Sequence, residues 1–569
     1  MTTTSADATI LEGSGGRRWR VRGAADLLAF AGAPWPALVS TLLSHRDVHD
    51  TAEGHAYLGE PGELTDPRLM PNLEVAVERL ARACTAGERV AVFGDFDVDG
   101  VTSTTILTEG LSALGAVPLP YIPDRFTEGY GPNVAAIEAL HARGATVLVT
   151  ADCGTSAVHE VAAANALGMD VIVIDHHTVP DELPEALAIV NPKLNGSEYG
   201  SEPAACGVAY KVVHDLHDRL GVAYDPAPHR ALVALGTVCD LAPMLAENRD
   251  LVRIGMDALR TSKRPGLLAL ADSAGIELRD VDAEACGWVL GPRINAAGRM
   301  EHARIALDMM LATTEEEARP LAARLASLNE QRRDQTAAAF ELAGSALTHE
   351  QGEAALVFVA SEAISSGIVG LVASRLADQH QRPAIVAQIA GDEARASCRS
   401  IPEFDITALL RRNAGLFKRF GGHRAAAGFT IDASRLDEVR AVLLADAALH
   451  LDASSIVPTI DIDAELPLRD VNTEVLKWLG RLGPHGIGNA TPTFLSRGVT
   501  VIDTRIVGKN GTHLQFKLRE GRVTWSAIAF GAAERAVPAG EAADVVYTFR
   551  RDSLRGTLQL EVLDLRPAQ

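Results

Sequence analysis

From residue 89 onward, short apolar runs alternate with stretches whose apolar positions recur at helical spacing. Arg89 to Phe93, Pro118 to Ile122, Ala145 to Thr150 and Val171 to Ile174 are compact runs that suit strands buried on both faces. Between them, Val101 to Leu114, Asn133 to Arg143 and Val158 to Gly168 have helical patterning, and Asn72 to Ala83 supplies a helix ahead of the first strand. This alternation predicts βαβ units and a doubly wound parallel sheet. It continues through a helix at Val208 to Leu220 and the apolar stretch His229 to Thr237, then fades near residue 260.

Residues 304–347 read as mostly helical, with Leu321, Leu325 and Leu328 on one face and Thr314 with Glu317 in the form of a capping box. Pro320 lies too deep for that box to open an unbroken helix, which predicts a kink or two helices. A second α/β segment follows, with strands at Ala355 to Ala360 and Ala384 to Gln388. Val499 to Val507, His513 to Arg519, Val523 to Phe530, Val545 to Phe549 and Leu558 to Leu563 then read as strands joined by turns such as Lys509-Asn510-Gly511. Five such strands predict a small barrel of oligonucleotide-binding type. The expected organisation is an extension over residues 1–70 packing on the first domain, an α/β domain over 71–300 and a connecting helix over 301–350. A smaller α/β domain over 351–452 and a barrel domain over 453–569 complete it.

The length of 569 residues fits several packed cores, and the 47% hydrophobic content excludes a disordered or fibrous chain. Six scattered cysteines with no CxxC pair indicate neither a disulfide framework nor a zinc knuckle, which suits a reducing, cytoplasmic setting. No run of about 18 uncharged apolar residues occurs, so no membrane segment is expected. The net charge of −21 argues at first against a nucleic-acid partner.

The chemistry is concentrated at strand ends. Asp95, Asp97 and Asp99 alternate in Gly94-Asp95-Phe96-Asp97-Val98-Asp99-Gly100, directly after an apolar strand. Convergent carboxylates repel one another unless a cation is present. An EF-hand is excluded by the preceding strand and the missing bidentate Glu. The third and fourth strands lead into Asp152 and into Asp175-His176-His177, and Asp240 follows the apolar run Ala231 to Val238. Ligands of open α/β sheets bind at the carboxyl ends of strands, so these acids point to one shared site. Carboxylates with imidazole suit Mn²⁺ or a similar divalent ion, and such sets recur where two metals clamp a phosphoryl displacement.

Asp95 to Gly100, Thr150-Ala151-Asp152-Cys153-Gly154, Asp175-His176-His177 and Thr237-Val238-Cys239-Asp240 resemble the four motifs of the DHH phosphoesterase superfamily. Ser366 to Gly370 and Phe420-Gly421-Gly422-His423 resemble its associated DHHA1 domain. Pro292 to Arg299, together with the order of lobe, helix, lobe and barrel, resembles the single-strand-specific exonucleases of that superfamily. The resemblance implies two Mn²⁺ or Mg²⁺ ions held by Asp97, Asp99, Asp152, His176 and Asp240, with Asp152 as the bridge. His177 would contact the scissile phosphate or orient a ligand, and Asp175 would support the His pair. Small DHH phosphatases place a His where this chain has Phe93; whether Asp95 compensates, directly or through water, stays open here.

By the same resemblance, Arg125, Ser397 and Arg399 would form a pocket for a 5′-phosphate, Arg293 and Arg299 would line the strand path, and His423 would lie on the substrate side. The implied activity is 5′ to 3′ exonuclease action on single-stranded DNA in repair and recombination. A short-substrate nanoRNase or nucleotide phosphatase and a non-catalytic replication scaffold are the competing readings. Two lobes and a barrel in one chain need no second copy to form a cleft, so a monomer is expected. The residues specify neither a partner helicase nor a single-strand-binding protein. Positive charge gathers locally despite the overall balance: residues 395–424 carry seven Arg or Lys against two acids, and residues 497–525 carry six against two. Those stretches, in the second lobe and the barrel, are where a strand can lie.

Overall fold

The computed structural model describes residues 8–568 apart from Ala24, 348–353, 453–455, 509–510 and 552–556. The first two positions of the Lys509-Asn510-Gly511 turn therefore lie outside the described residues. The chain divides into two compact units, Glu63–Ala453 and Met1–Gly62 with Ser454–Gln569.

The larger unit opens on helix Leu73–Ala86 and a five-stranded parallel sheet. Its strands are Arg89–Gly94, Val117–Tyr121, Ala145–Ala151, Asp170–Ile174 and Ala188–Val190. In spatial order the second strand lies at one edge beside the first, and the third, fourth and fifth follow on the other side. Alternate side chains feed two separate cores. Val90, Val92, Val147, Val149, Ile172 and Ile174 pack on one face, and Ala91, Phe93, Leu148, Val171 and Val173 on the other. That double burial is why the strands read as unbroken apolar runs.

The helix after the first strand, Val98–Ala113, is buried almost all round although it carries Thr102, Ser103, Thr104 and Thr105 in succession. Each hydroxyl donates to the carbonyl four residues back, at 2.6 to 2.8 Å, so none enters the core unsatisfied. The stretch His229 to Thr237 belongs to a helix, Ala227–Cys239. Asp240 therefore caps a helix C-terminus rather than a strand end, a distinction that a short apolar run does not reveal.

The connecting helix spans Glu315–Ala346 as one helix, which corrects the expected pair of helices. The Thr314–Glu317 capping box is formed, and the carbonyl that Pro320 leaves unpaired belongs to Glu316, exposed on the first turn. Beyond it a five-stranded mixed sheet contains Val357–Ser361, Ala384–Ala390, Glu393–Arg399, Arg419–His423 and Ala426–Asp432.

The smaller unit holds the barrel. Strands Phe494–Val507, His513–Glu520, Val523–Ala529, Ala542–Arg551 and Leu558–Pro567 close on themselves through pairing of the first with the fourth. The N-terminal segment belongs with this barrel, which corrects the expectation that residues 1–70 pack on the first domain. Strand Arg18–Val21 pairs in parallel with Thr459–Ile462, and the Trp19 indole, fully buried, donates to Asp564 at 2.8 Å. Phe30, Trp35, Val39, Leu42 and Leu43 enter the same core as the barrel residues Phe494, Phe516 and Tyr547. A buried Trp and two short helices can be satisfied by whichever core reaches them, and nothing local in the sequence names that core.

Candidate metal and phosphate site

The acids gather at the carboxyl ends of the first and third strands, the point at which the strand order of the parallel sheet reverses and a crevice opens. Asp95 follows the first strand directly. Asp97 is the N-cap of helix Val98–Ala113 and accepts the Gly100 N–H at 3.0 Å. Asp99 lies within the first helical turn and turns away from the other two, accepting the N–H groups of Ala205 at 2.7 Å and Cys206 at 2.9 Å. The three carboxylates therefore do not simply share a strand face. Asp95 and Asp97 group with Asp152, whereas Asp99 groups with His176 and Asp240, each set within 4.8 Å. Asp152 also joins His176 and His177 in a third such set, so Asp152 and His176 link the whole cluster.

Local backbone chemistry makes the crowding possible. A Cβ at Gly100 would come within 2.5 Å of the Asp95 carbonyl oxygen, so only glycine lets the helix start this close to the loop. Asp152 has φ +64, a left-handed conformation costly for a residue with a Cβ and common where function demands it.

The donor set fits divalent metal. Asp95 Oδ1, Asp152 Oδ1 and His176 Nε2 are buried atoms with no hydrogen-bond partner. Burial, reinforced by the neighbouring carboxylates, pushes Asp95 and Asp152 well above the usual carboxylate range, Asp240 up to about 9 and Asp99 to about 6. Burial and the adjacent His177 lower His176 to about 3, leaving a neutral imidazole able to ligate. Such a set is self-repelling when empty and satisfied by cations. Phe93 is fully buried, packed against Tyr121, and contributes no ligand.

Around this cluster, Asp175 is buried and accepts from Thr155 N and Oγ1, the His176 and His177 backbone N–H groups and, at 2.7 Å, His177 Nδ1. Although burial opposes it, this contact raises His177 to about 9 and holds Asp175 below the usual carboxylate range. Tyr130 Oη lies 3.3 Å from His177 Nε2, and Asn191 donates to the His177 carbonyl at 3.0 Å. A cavity of about 660 Å³ opens beyond, lined by Tyr130, Thr155, His177, Arg399 and His423 among others. The His423 carbonyl accepts Thr407 Oγ1 at 2.7 Å.

Arg399 donates to Ser397 Oγ at 3.1 Å, and a Cβ on Gly370 would meet Arg399 Nη2 at 3.0 Å and Ser397 Oγ at 3.1 Å. Arg125 lies over the Phe96 ring at 4.7 Å. Arg299 donates to the Gly367 carbonyl at 3.4 Å, and burial followed by the charges of Arg125, Arg332 and Arg399 lowers it to about 9. Arg293 is turned toward the Val289 carbonyl at 2.6 Å and is not among the residues lining the cavity. Sequence reasoning missed Asn295, whose Oδ1 accepts the Val98 N–H at 3.0 Å, and Thr155 and Asn191, which carry no signal outside the fold.

The parallel sheet, its acidic crevice and the second lobe define a protein of the DHH class. The chain matches the DHH family N-terminal domain over residues 89–237, the DHHA1 domain over 352–448 and the RecJ OB domain over 462–564. It belongs to the RecJ family. It is 34% identical to the single-stranded-DNA-specific exonuclease RecJ of Bacillus subtilis over 87% of this chain and 63% of that one. To the RecJ of Salmonella typhimurium it is 32% identical, over 95% and 97%. Among solved structures, RecJ of Thermus thermophilus in complex with Mn²⁺ superposes with a TM-score of 0.83 at 29% identity, covering 97% of this chain and 80% of that one. No helix among the described residues is long and apolar enough to cross a membrane.

Proposed function

We propose that this chain is a metal-dependent, single-strand-specific 5′ to 3′ exodeoxyribonuclease that releases nucleoside 5′-monophosphates. The observation that carries the reading is a buried carboxylate and histidine set that reaches, through His177, a cavity also lined by Arg399 and His423, all within one compact unit. The comparisons support it, since the relatives matched over most of their length are named single-stranded-DNA-specific exonucleases.

Asp97, Asp99, Asp152, His176 and Asp240 hold two ions, Mn²⁺ or Mg²⁺, with Asp95 beside them on the Asp97 and Asp152 side. Those ions supply a water of lowered pKa and a positive field for the scissile phosphate. The chain's own residues do the positioning. Asp175 keeps His177 protonated, so its Nε2, which also lies 3.3 Å from Tyr130 Oη, can donate toward a phosphate oxygen in the cavity. Arg125, Ser397 and Arg399 take the terminal 5′-phosphate and set how far the strand enters. Hydrolysis adds water oxygen to phosphorus, breaks the bond to the 3′ oxygen of the terminal nucleotide and leaves that oxygen as a hydroxyl. The shortened strand again carries a 5′-phosphate, ready for the same pocket.

The chain works as a monomer in the cytoplasm, on strands of the kind a helicase opens and single-strand-binding protein coats. The test is digestion of a 5′-phosphorylated oligonucleotide of roughly 20 nucleotides, labelled at either end, with Mn²⁺. Mononucleotides from the 5′ end are expected, and faster turnover than on a dinucleotide separates this reading from a short-substrate phosphatase. Sustained activity in Asp152→Asn would remove the metal assignment.

A further inference from the structure

Two of the helices that present acids to the metal site run past each other in opposite directions. Helix Val98–Ala113 is capped by Asp97 and carries Asp99 in its first turn, and helix Ala227–Cys239 ends at Asp240. They touch beside the site, at Gly236. A Cβ there would come within 2.6 Å of Thr102 Oγ1, 3.1 Å of Asp99 Oδ1 and 2.5 Å of Cys206 Sγ on helix Ala205–Leu220, so only glycine allows this approach.

The same two helices are joined again two turns away. Glu109 lies seven residues beyond Thr102 and His229 seven residues before Gly236, about 10 Å from the first contact along each axis. There the buried His229 places Nε2 3.1 Å from Glu109 Oε2. Arg264 donates to both Glu109 oxygens at 2.7 Å and to the Met310 carbonyl at 2.8 Å. With both oxygens accepting from a guanidinium, His229 Nε2 is the donor in its own pair. Tyr224 Oη lies 2.7 Å from His229 Nδ1, and the His217 ring stacks on Tyr224 at 4.6 Å. None of these side chains lines the cavity or belongs to the acid and histidine sets.

A helix held only at Gly236 could swing about that point. Asp240 lies four residues past it, about 6 Å along the axis, so slack of about 1 Å at His229 becomes about 0.6 Å at Asp240. Metal coordination tolerates about 0.2 Å. We propose that Glu109, His229 and Arg264 are positioning residues that fix Asp240 against Asp99, and so set the affinity of the ion held by Asp99, His176 and Asp240 without contacting it. The ion on the Asp95, Asp97 and Asp152 side takes no ligand from helix Ala227–Cys239 and is left alone. The proposal rests on the two-metal reading above and adds the residues that tune one of the two sites.

The test measures Mn²⁺ binding to the full chain by calorimetry, with no strand present. The parent should take up two ions. His229→Leu should weaken one of them about 10- to 100-fold and leave the other within about twofold. His229→Gln, whose amide still donates to Glu109, should restore most of that loss. In Asp240→Asn, which already lacks the affected site, adding His229→Leu should change the remaining ion by less than about twofold. Glu109→Gln offers one amide oxygen where three donors converge, so it should reproduce the selective loss and serves if His229→Leu does not fold. Unchanged binding of both ions in these variants overturns the proposal, as does an equal weakening of both that follows a fall in melting temperature. A parent that binds no pair of ions overturns the two-metal reading itself, and that control separates the two failures.

Discussion

The amide oxygen of Asn295 accepts the backbone N–H of Val98 at 3.0 Å, so a helix 197 residues further on closes the first turn of the helix that presents Asp97 and Asp99. Gly298 on the same helix lies against that loop, since a Cβ there would sit 2.9 Å from the Phe96 carbonyl oxygen. Replacing Asn295 with Ala strips a partner from an N–H at a helix start. A stability loss of about 1 kcal/mol is expected, with Mn²⁺ affinity lowered about 10- to 100-fold because the ligand loop is no longer held. Chemical denaturation and metal titration read the two effects separately.

The crowded carboxylates make the metal-free protein sensitive to base. Asp99 and Asp240 have folded-state values raised to about 6 and about 9, so stability is full below the ordinary carboxylate range and falls as pH rises through those values. The metal-free melting temperature should therefore drop from about pH 4 up to pH 9, with Asp240 alone responsible above pH 6, and the gain from Mn²⁺ should grow over the same interval. Asp152→Asn, which tolerates the left-handed backbone, should raise the metal-free melting temperature at pH 8 by a few degrees, on the order of 1 kcal/mol, and abolish most of the Mn²⁺ gain. Thermal scans with and without metal check both.

Gly370 leaves room for the Arg399 and Ser397 side chains. Gly370→Ala forces the guanidinium to shift by a few tenths of an ångström and should weaken recognition of the terminal phosphate. The expected outcome is a KM about tenfold higher on 5′-phosphorylated strands, with a reduced preference over 5′-hydroxyl ends and a nearly unchanged kcat. Steady-state kinetics on the paired substrates decide it.

Away from the site, Glu109 bridges Arg264, at 2.7 Å through both carboxylate oxygens, and His229, at 3.1 Å. Although burial opposes ionisation, these partners hold Glu109 at about 2, so its contribution is present above the ordinary glutamate value and lost as pH falls toward 2. Glu109→Gln should cost about 1 to 2 kcal/mol at neutral pH, and the gap from the parent should close on acidification. Denaturation midpoints at pH 7 and pH 3 measure it.

Much of this was legible in the residues because strands buried on both faces have no polar positions to confuse their reading, and their ends are marked by Asp95, Asp152 and Asp175. The barrel strands were legible through alternation and turns. What stayed hidden depended on partners distant in sequence. Asp99 faces away from Asp95 because the N–H groups of Ala205 and Cys206 draw it, and Asp240 ends a helix whose apolar run is as short as a strand's. Pro320 marked a break that an exposed first turn absorbs.

The pairing of Arg18–Val21 with Thr459–Ile462, and of Trp19 with Asp564 across 545 residues, has a consequence for biosynthesis. Trp19 cannot reach its buried partner until Asp564, 545 residues later, has been made. In the meantime the Glu63–Ala453 unit can complete its own core while the Arg18–Val21 strand waits for its partner. A prematurely terminated chain would keep the metal-binding crevice intact yet display an orphaned N-terminal strand, an edge that invites pairing with other chains and marks the fragment for disposal.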